Sequence, residues 1–362
     1  MLITIVLTAA IIILFVNLNP AFGGRISHRE KQQYIALDNY HKGRFHNQIP
    51  TPMDMNFGDG LKIIWEFMRG AEYREPAIPL PVTKIDPMNI GNSTETKITW
   101  FGHSTFLIEI AGQIILIDPM FGRISSPIPF IGPRRYTMNF PIAIEQLPPI
   151  DLIVISHDHY DHLDMRSIKQ LKSKTAKFIV PLGVDKHLQR WGVKQSKIIK
   201  LNWWEEVTLN NLTLVSTPAR HFSGRAFNDR ARTLWCSWII KSGGHKIFFS
   251  GDTGYGPHFQ EIYEKYGAVH LALLECGQYN QQWKNVHMFP EQTVAAARDL
   301  KASIFMPIHW SGFTLSVHDW TEPVMLVIQA AEKDNIKITT PQIGQTINLH
   351  KGHFPIDNWW QE

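Results

Sequence analysis

The chain has 362 residues, 44% hydrophobic and 19% charged, and its 36 Lys and Arg exceed its 32 Asp and Glu by four. That length allows one large domain or two small ones with an ample core, and the mild charge lacks the concentrated basic stripe of a nucleic-acid binder. Cys236 and Cys276 are the only thiols and give no disulfide framework, whereas several of the 17 histidines gather mid-chain, and imidazole is the commonest metal ligand.

The first predicted element is the apolar run Leu2–Leu18, broken only by Thr4, Thr8 and Asn17. It is short for a bilayer span, which takes about 20 apolar residues. It reads as a membrane anchor, with Arg25, Arg29 and Lys31 behind it. The alternative is a signal peptide cut at the small-x-small site Ala21-Phe22-Gly23, with export of the rest. Membrane association through this segment, residues 1–22, is the expectation, on a side of the membrane that the sequence does not reveal. Residues 23–95 are expected to wrap the main domain, because Pro50, Pro52, Pro76, Pro79, Pro81 and Pro87 keep interrupting them. One helix is predicted there over Leu61–Arg69, with Leu61, Ile64, Trp65 and Met68 on one face.

The main domain spans residues 96–352, followed by a tail over 353–362. Short apolar runs predict buried strands at Lys97–Phe101, Thr105–Ile110, Ile114–Ile117, Leu152–Ile155 and Lys177–Val180. More follow at Leu212–Ser216, Trp235–Lys241, Lys246–Ser250, Leu271–Leu274 and Ile304–Met306. Helical spacing marks Met165–Leu171, capped by Asp164, and Val184–Trp191, His258–Tyr266, Glu291–Leu300 and Thr321–Lys333. Phe106–Pro119 and Trp238–Thr253 echo one another as hairpins ending on an aspartate, which suggests two similar sheet halves facing each other.

The chemistry concentrates after one strand, in I-V-I-S-H-D-H-Y-D-H-L-D from Ile153 to Asp164. Alternation along an extended segment lets His157 and His159 point the same way. The turn toward the next helix brings Asp161 and His162 beside a second ion. Imidazole and carboxylate donors suit zinc or iron, with manganese less suited to so many histidines.

This H-x-H-x-D-H pattern resembles the signature of the metallo-β-lactamase superfamily. That family requires a later His, an Asp and a final His, each after a strand. His221 in T-P-A-R-H-F-S-G-R, Asp252 in F-F-S-G-D-T-G-Y and His309 in I-F-M-P-I-H-W stand in that order. The resemblance implies an α+β four-layer αββα sandwich, two facing mixed β-sheets flanked by helices. It implies two zinc ions per subunit, or other divalent metals such as Fe or Mn. His157, His159 and His221 hold one, Asp161, His162 and His309 the other, and Asp252 bridges. Two such cations lower the pKa of a water between them and make it a nucleophile. A bridging aspartate belongs to the phosphodiesterase, glyoxalase and lactonase branches rather than to the true β-lactamases.

Further stretches resemble the N-acyl-phosphatidylethanolamine-hydrolysing phospholipase D family: Ile98–Thr105, Ile115–Phe121, G-P-R-R-Y at Gly132–Tyr136 and the run Leu147–Asp164. That family releases phosphatidic acid and an N-acylethanolamine, so the resemblance implies a phospholipid substrate, a membrane surface as partner and a homodimer, with no nucleic acid. By resemblance His287 assists the leaving group alongside Asp161 and Asp252, His103 supports a ligand, and Asp118 supports the ligand loop. Gln278–Gln282 and Met288–Phe289 depart from the family pattern and are expected to line the substrate pocket, with Tyr279 as a contact. The loop Phe121–Tyr136 mixes apolar residues with Arg123, Arg134 and Arg135, as a lipid-facing lip would, or else packs on its own domain. Trp359-Trp360 is an interfacial anchor or a packed tail. The competing functions are another phosphodiester or a lactone as substrate for the same fold, and a catalytically silent scaffold.

Overall fold

The computed structural model describes residues 2–53, 57–69 and 73–361. Ahead of the core come α1 (Leu2–Leu18), α2 (His28–Tyr34), the ribbon β1 (Tyr40–His41) and β2 (Arg44–Phe45), and α3 (Phe57–Arg69). The core begins with β3 (Lys97–Trp100), β4 (Phe106–Ile110), β5 (Gln113–Ile117), β6 (Ile150–Val154), α4 (Met165–Leu171), β7 (Thr175–Pro181), α5 (Asp185–Arg190) and β8 (Ile198–Leu201). It continues with β9 (Glu206–Leu209), β10 (Leu212–Thr217), β11 (Ser237–Ser242), β12 (His245–Phe249), α6 (His258–Tyr266) and β13 (Leu271–Glu275). It closes with α7 (Pro290–Asp299), β14 (Ile304–Ile308), α8 (Glu322–Lys333) and β15 (Thr346–Asn348).

Seven strands form one sheet in the order β15-β3-β4-β5-β6-β7-β8, and six form the other, β9 through β14 in sequence order. Strand alternation sorts the apolar runs between two cores. Ile108, Ile115, Ile117, Leu152 and Val154 face inward with Leu214, Trp238, Ile240 and Phe249 of the other sheet. Their neighbours Leu107, Leu116 and Ile153 face outward onto Ile168 and Leu171 of α4 and Leu188 of α5. Each such fully buried side chain contributes about 1.5–3 kcal/mol. With α6, α7 and α8 over the second sheet the layers run αββα, as the resemblance implied. The two hairpins of the internal echo are β4–β5 and β11–β12, and each leads into a parallel strand, β6 or β13. The apolar runs thus become strands with ends shifted by a residue or two, whereas β8, β9 and β15 are strands that the runs did not mark.

The expectation at the amino terminus is overturned. Among the described residues no helix is long and apolar enough to cross a membrane. α1 has 17 residues, about 25 Å at 1.5 Å per residue, against about 30 Å of bilayer hydrocarbon. The cleavage site is no loose linker either. Ala21 is buried, its carbonyl accepts a hydrogen bond from Nε of Arg225, and the Gly24 N–H donates to Nδ1 of His187. In α3, Leu61, Trp65 and Met68 are exposed, while the side chain of Ile64 lies outside the described ones. The tail is packed: Trp359 and Trp360 are buried against Trp310.

Candidate metal centre

Each candidate ligand sits just past a strand. β6 stops at Val154, and Ile155 and Ser156 carry the chain on to His157; β10 leads to His221, β12 to Asp252 and β14 directly to His309. Turning so many segments at one place demands unusual backbone. Asp118, His103, Gln278 and His309 have φ of 39°, 56°, 64° and 66°, a region that costs a non-glycine residue about 1–3 kcal/mol and clusters at functional sites. Glycine is required where neighbours press close: a Cβ on Gly312 would lie 2.5 Å from Cβ of His103, and one on Gly251 2.8 Å from Cβ of Ser156.

The donors converge in two groups. His157, His159, His221 and Asp252 each offer an atom within 4.8 Å of the others, and so do His103, Asp161, His162 and His309. Asp252 reaches both groups. Its Oδ2 lies 3.7 Å from Nε2 of His157 and of His221, and its Oδ1 lies 3.0 Å from Nε2 of His162 and 3.1 Å from Nδ1 of His309.

Hydrogen bonds decide which nitrogen faces inward. His221 donates from Nδ1 to the Val286 carbonyl at 2.9 Å, and His162 donates from Nδ1 to Oδ2 of Asp118 at 2.7 Å. His157 donates from Nδ1 to Oγ of Ser156 at 2.9 Å, and that hydroxyl donates to Asp118 at 2.5 Å. Nε2 of His157 and of His221 therefore turn their lone pairs toward the Asp252 carboxylate, with Nδ1 of His159 beside them at 3.0 and 3.2 Å. Lone pairs and an anion repel unless a cation lies between them. Nε2 of His162 and Oδ1 of Asp252 are buried without a hydrogen-bond partner, which is what metal-ligating atoms look like with the ion removed. The residues fit a pair of divalent cations.

The electrostatics agree. Burial holds the pKa of His157, His221 and His309 well below the ordinary imidazole value, and those of His103 and His159 at about 4, so their lone pairs stay available. Burial also opposes a charge on His162, yet Asp252 and Asp161 outweigh it and raise that pKa well above normal, marking the point most attractive to a cation. Burial lifts Asp252 to about 6.

Other candidates take these places. His103 donates from Nε2 to Oδ2 of Asp161 at 2.8 Å and so orients that carboxylate. His287 lines the cavity of about 200 Å³ above the centre, which Met53, Phe222, Trp283 and Leu315 wall with apolar surface. Tyr279 is absent from that lining; it is buried, and its hydroxyl donates to Oε1 of Glu322 at 2.6 Å. Gln278 clips the loop after His309, donating to the Phe313 carbonyl at 3.1 Å and accepting the Leu315 N–H at 2.9 Å. Arg134 is exposed, whereas Arg135 turns inward, donates to the carbonyls of Met120 and Gly122, and sits 4.6 Å from the ring centres of Phe140 and Phe313. Both border a separate groove of about 700 Å³.

Three contributors were not singled out in the sequence. Asp158, between two ligands, accepts hydrogen bonds from Gly224, Thr233 and His187. Arg225 donates to the carbonyls of Asp158 and Leu163, clasping both ends of the ligand loop. Glu275 accepts the N–H groups of Thr253 and Met288 and faces His287. Arg225 stands inside the T-P-A-R-H-F-S-G-R segment, where a cation among ligand-bearing residues was a usable signal.

A family model for the beta-lactamase superfamily domain matches residues 113–310. An uncharacterized protein of Mycobacterium tuberculosis is 39% identical over 328 residues, which is 89% of this chain and 87% of that one. The mitochondrial N-acyl-phosphatidylethanolamine-hydrolyzing phospholipase D of Saccharomyces cerevisiae is 34% identical over 292 residues, 75% of this chain and 62% of the yeast protein. N-acyl-phosphatidylethanolamine-hydrolyzing phospholipase D 1 of Caenorhabditis elegans is 32% identical over 253 residues, 67% of this chain and 71% of that protein. Among solved structures, the metallo hydrolase Igni18 of Ignicoccus hospitalis superposes with a TM-score of 0.53 at 25% identity, over 70% of this chain and 98% of that one. With six further donors grouped around Asp252, the chain belongs to the metallo-β-lactamase superfamily, as a metal-dependent hydrolase related to the N-acyl-phosphatidylethanolamine-hydrolysing phospholipases D.

Proposed function

We propose that this hydrolase is a phosphodiesterase of phospholipase D type that converts N-acyl-phosphatidylethanolamine into phosphatidic acid and an N-acylethanolamine. The observation that carries the reading is the pairing of a two-group donor set, shared through Asp252, with an apolar-walled cavity directly above it. The named relatives in yeast and the nematode support the substrate class. The nitrogen-rich donor set favours zinc. When bound, a zinc pair supplies Lewis-acid activation of water and neutralises charge on the phosphate.

The chain's own residues do the rest. His157, His159 and His221 would hold one ion, Asp161, His162 and His309 the other, with Asp252 between. His287 presents its ring to the cavity, where it can donate a hydrogen bond to the departing oxygen. Met53, Phe222, Trp283 and Leu315 exclude water and accept the apolar part of the substrate. The neighbouring groove carries the exposed side chains of Arg123, Arg134 and Arg166 with Phe130, Ile78 and Met138. That mixture suits a phospholipid surface, where guanidinium groups meet phosphates and apolar side chains enter the acyl boundary.

The test is mass spectrometry of products after incubating the zinc-loaded full chain with N-acyl-phosphatidylethanolamine vesicles, beside an Asp252→Ala control. Metal-dependent phosphatidic acid and N-acylethanolamine are the expected products. No lipid product from a zinc-bound protein that still cleaves a soluble diester would remove the lipid assignment.

A further inference from the structure

Glu275 is the last residue of β13, fully buried, with its carboxyl facing His287. The hydrogen-bond partners of that carboxyl are two backbone N–H groups and one imidazole. Its Oε1 accepts two backbone N–H groups, from Met288 at 2.9 Å and Thr253 at 3.2 Å. Its Oε2 lies 3.4 Å from Nδ1 of His287. That ring lies nearly parallel to His309, at 10° and 5.3 Å between centres, and edge-on to His221 at 5.1 Å. One ring nitrogen of His287 is within 4.8 Å of donor atoms on Asp252 and His309.

A carboxyl this deeply buried, hydrogen-bonded to backbone N–H groups and an imidazole, keeps its proton; burial pushes its pKa well above the usual carboxyl range against the opposing charge of His162. Both N–H groups go to Oε1, so the proton belongs on Oε2, facing His287. A hydrogen bond donated by Oε2 makes Nδ1 the acceptor and leaves the proton of neutral His287 on Nε2. We propose that Glu275 is a positioning residue: as a neutral acid it donates to Nδ1 of His287, fixing the tautomer and ring plane so that the Nε2–H faces the cavity as a hydrogen-bond donor to the leaving oxygen. This rests on the phosphodiesterase reading for the identity of that oxygen, though not for the dyad itself.

Glutamine is the discriminating replacement. Its carbonyl oxygen takes the two backbone donors, and its amide N–H₂ donates to Nδ1 as the neutral acid does. Glu275→Leu removes that donor. ¹⁵N NMR of the zinc-loaded full chain, with the His287 signals assigned by loss in His287→Gln, reads the tautomer without turnover. The expected result is a protonated Nε2 in wild type and Glu275→Gln, and a mixed or inverted tautomer in Glu275→Leu. Kinetics add a second readout, comparing bis(4-nitrophenyl) phosphate, whose leaving group needs no help, with a diester that has an alkoxide leaving group. Glu275→Leu is expected to lose about tenfold to hundredfold in kcat on the alkyl diester and only a few-fold on the nitrophenyl diester, at equal zinc content. Glu275→Gln should stay within about threefold of wild type on both. A proton on Nδ1 in wild type, a glutamine variant as impaired as leucine, or equal losses on both diesters would overturn the proposal. Failure to cleave N-acyl-phosphatidylethanolamine would sink the lipid reading alone, because the tautomer and the soluble diesters do not depend on it.

Discussion

Asp118 and Asp252 grip one imidazole from opposite sides: Oδ2 of Asp118 is 2.7 Å from Nδ1 of His162, and Oδ1 of Asp252 is 3.0 Å from Nε2 of the same ring. Only one of them belongs to the donor set. Asp118 reaches the other group as well, because the Ser156 hydroxyl relays it to His157. One buried carboxylate thereby sets the tautomer of a candidate ligand in each of the two donor groups.

Substituting the two aspartates should separate their roles. Asp252→Ala is expected to lose bound metal and activity together. Asp118→Asn should keep the stoichiometry at saturating zinc but bind it about tenfold to hundredfold more weakly. Chelator competition followed by metal analysis measures both; equal zinc affinity in Asp118→Asn and wild type would show that the tautomer relay is idle.

Arg225 offers a test of the loop clasp. Its guanidinium serves the carbonyls of Ala21, Asp158 and Leu163 and lies 4.0 Å from the Tyr160 ring centre. Arg225→Ala leaves three buried acceptors without a donor, a loss of about 3 kcal/mol or more. Urea midpoints on the metal-free protein should fall accordingly, and zinc affinity should fall with them.

The lip prediction follows from the different fates of two adjacent arginines. Arg135 is built into the domain, so its loss would damage structure, whereas Arg123 and Arg134 are exposed at the groove. Arg123→Ala with Arg134→Ala should weaken sedimentation with anionic vesicles by about thirtyfold, roughly 1 kcal/mol per arginine, and spare hydrolysis of a small soluble diester. Equal loss on both would assign the loop to the chemistry.

His258, which is outside the donor set, predicts an acid limb of stability. Burial depresses its pKa from 6.5 to about 3. The unfolded chain therefore binds a proton that the fold refuses, so there is no penalty above pH 6.5 and a growing one as pH falls toward 3. Between pH 6.5 and 4.5 the loss is about 2–3 kcal/mol. Urea midpoints of His258→Gln, measured at pH 7.5 and 4.5, should show a smaller drop than wild type by that amount.

The candidate ligands were legible in the sequence because each follows an apolar run, and strand ends are where an open parallel sheet can place a site. The supporting residues were not. Glu275 closes L-A-L-L-E and reads as an ordinary strand terminus, and only its burial against His287 reveals more. Asp158 looks like a solvated carboxylate until His187 and Thr233 meet it. β8 and β9 escaped because I-I-K-L and E-V-T-L are too short and mixed to stand out. The opening helix misled through composition: an apolar run announces burial or lipid alike, and its length decides.

The edge strand β15 has a consequence for how the chain is made. It pairs antiparallel with β3, and Thr346 meets Thr99 across 247 positions of sequence. During synthesis β3 stands as an open edge until β15, 247 positions further on, has emerged, and His309 also arrives late. A nascent chain of this topology carries an unpaired, β-rich margin throughout the synthesis of the residues between β3 and β15. Its yield in a cell should therefore depend on chaperone capacity and translation speed more than on the strength of the finished core.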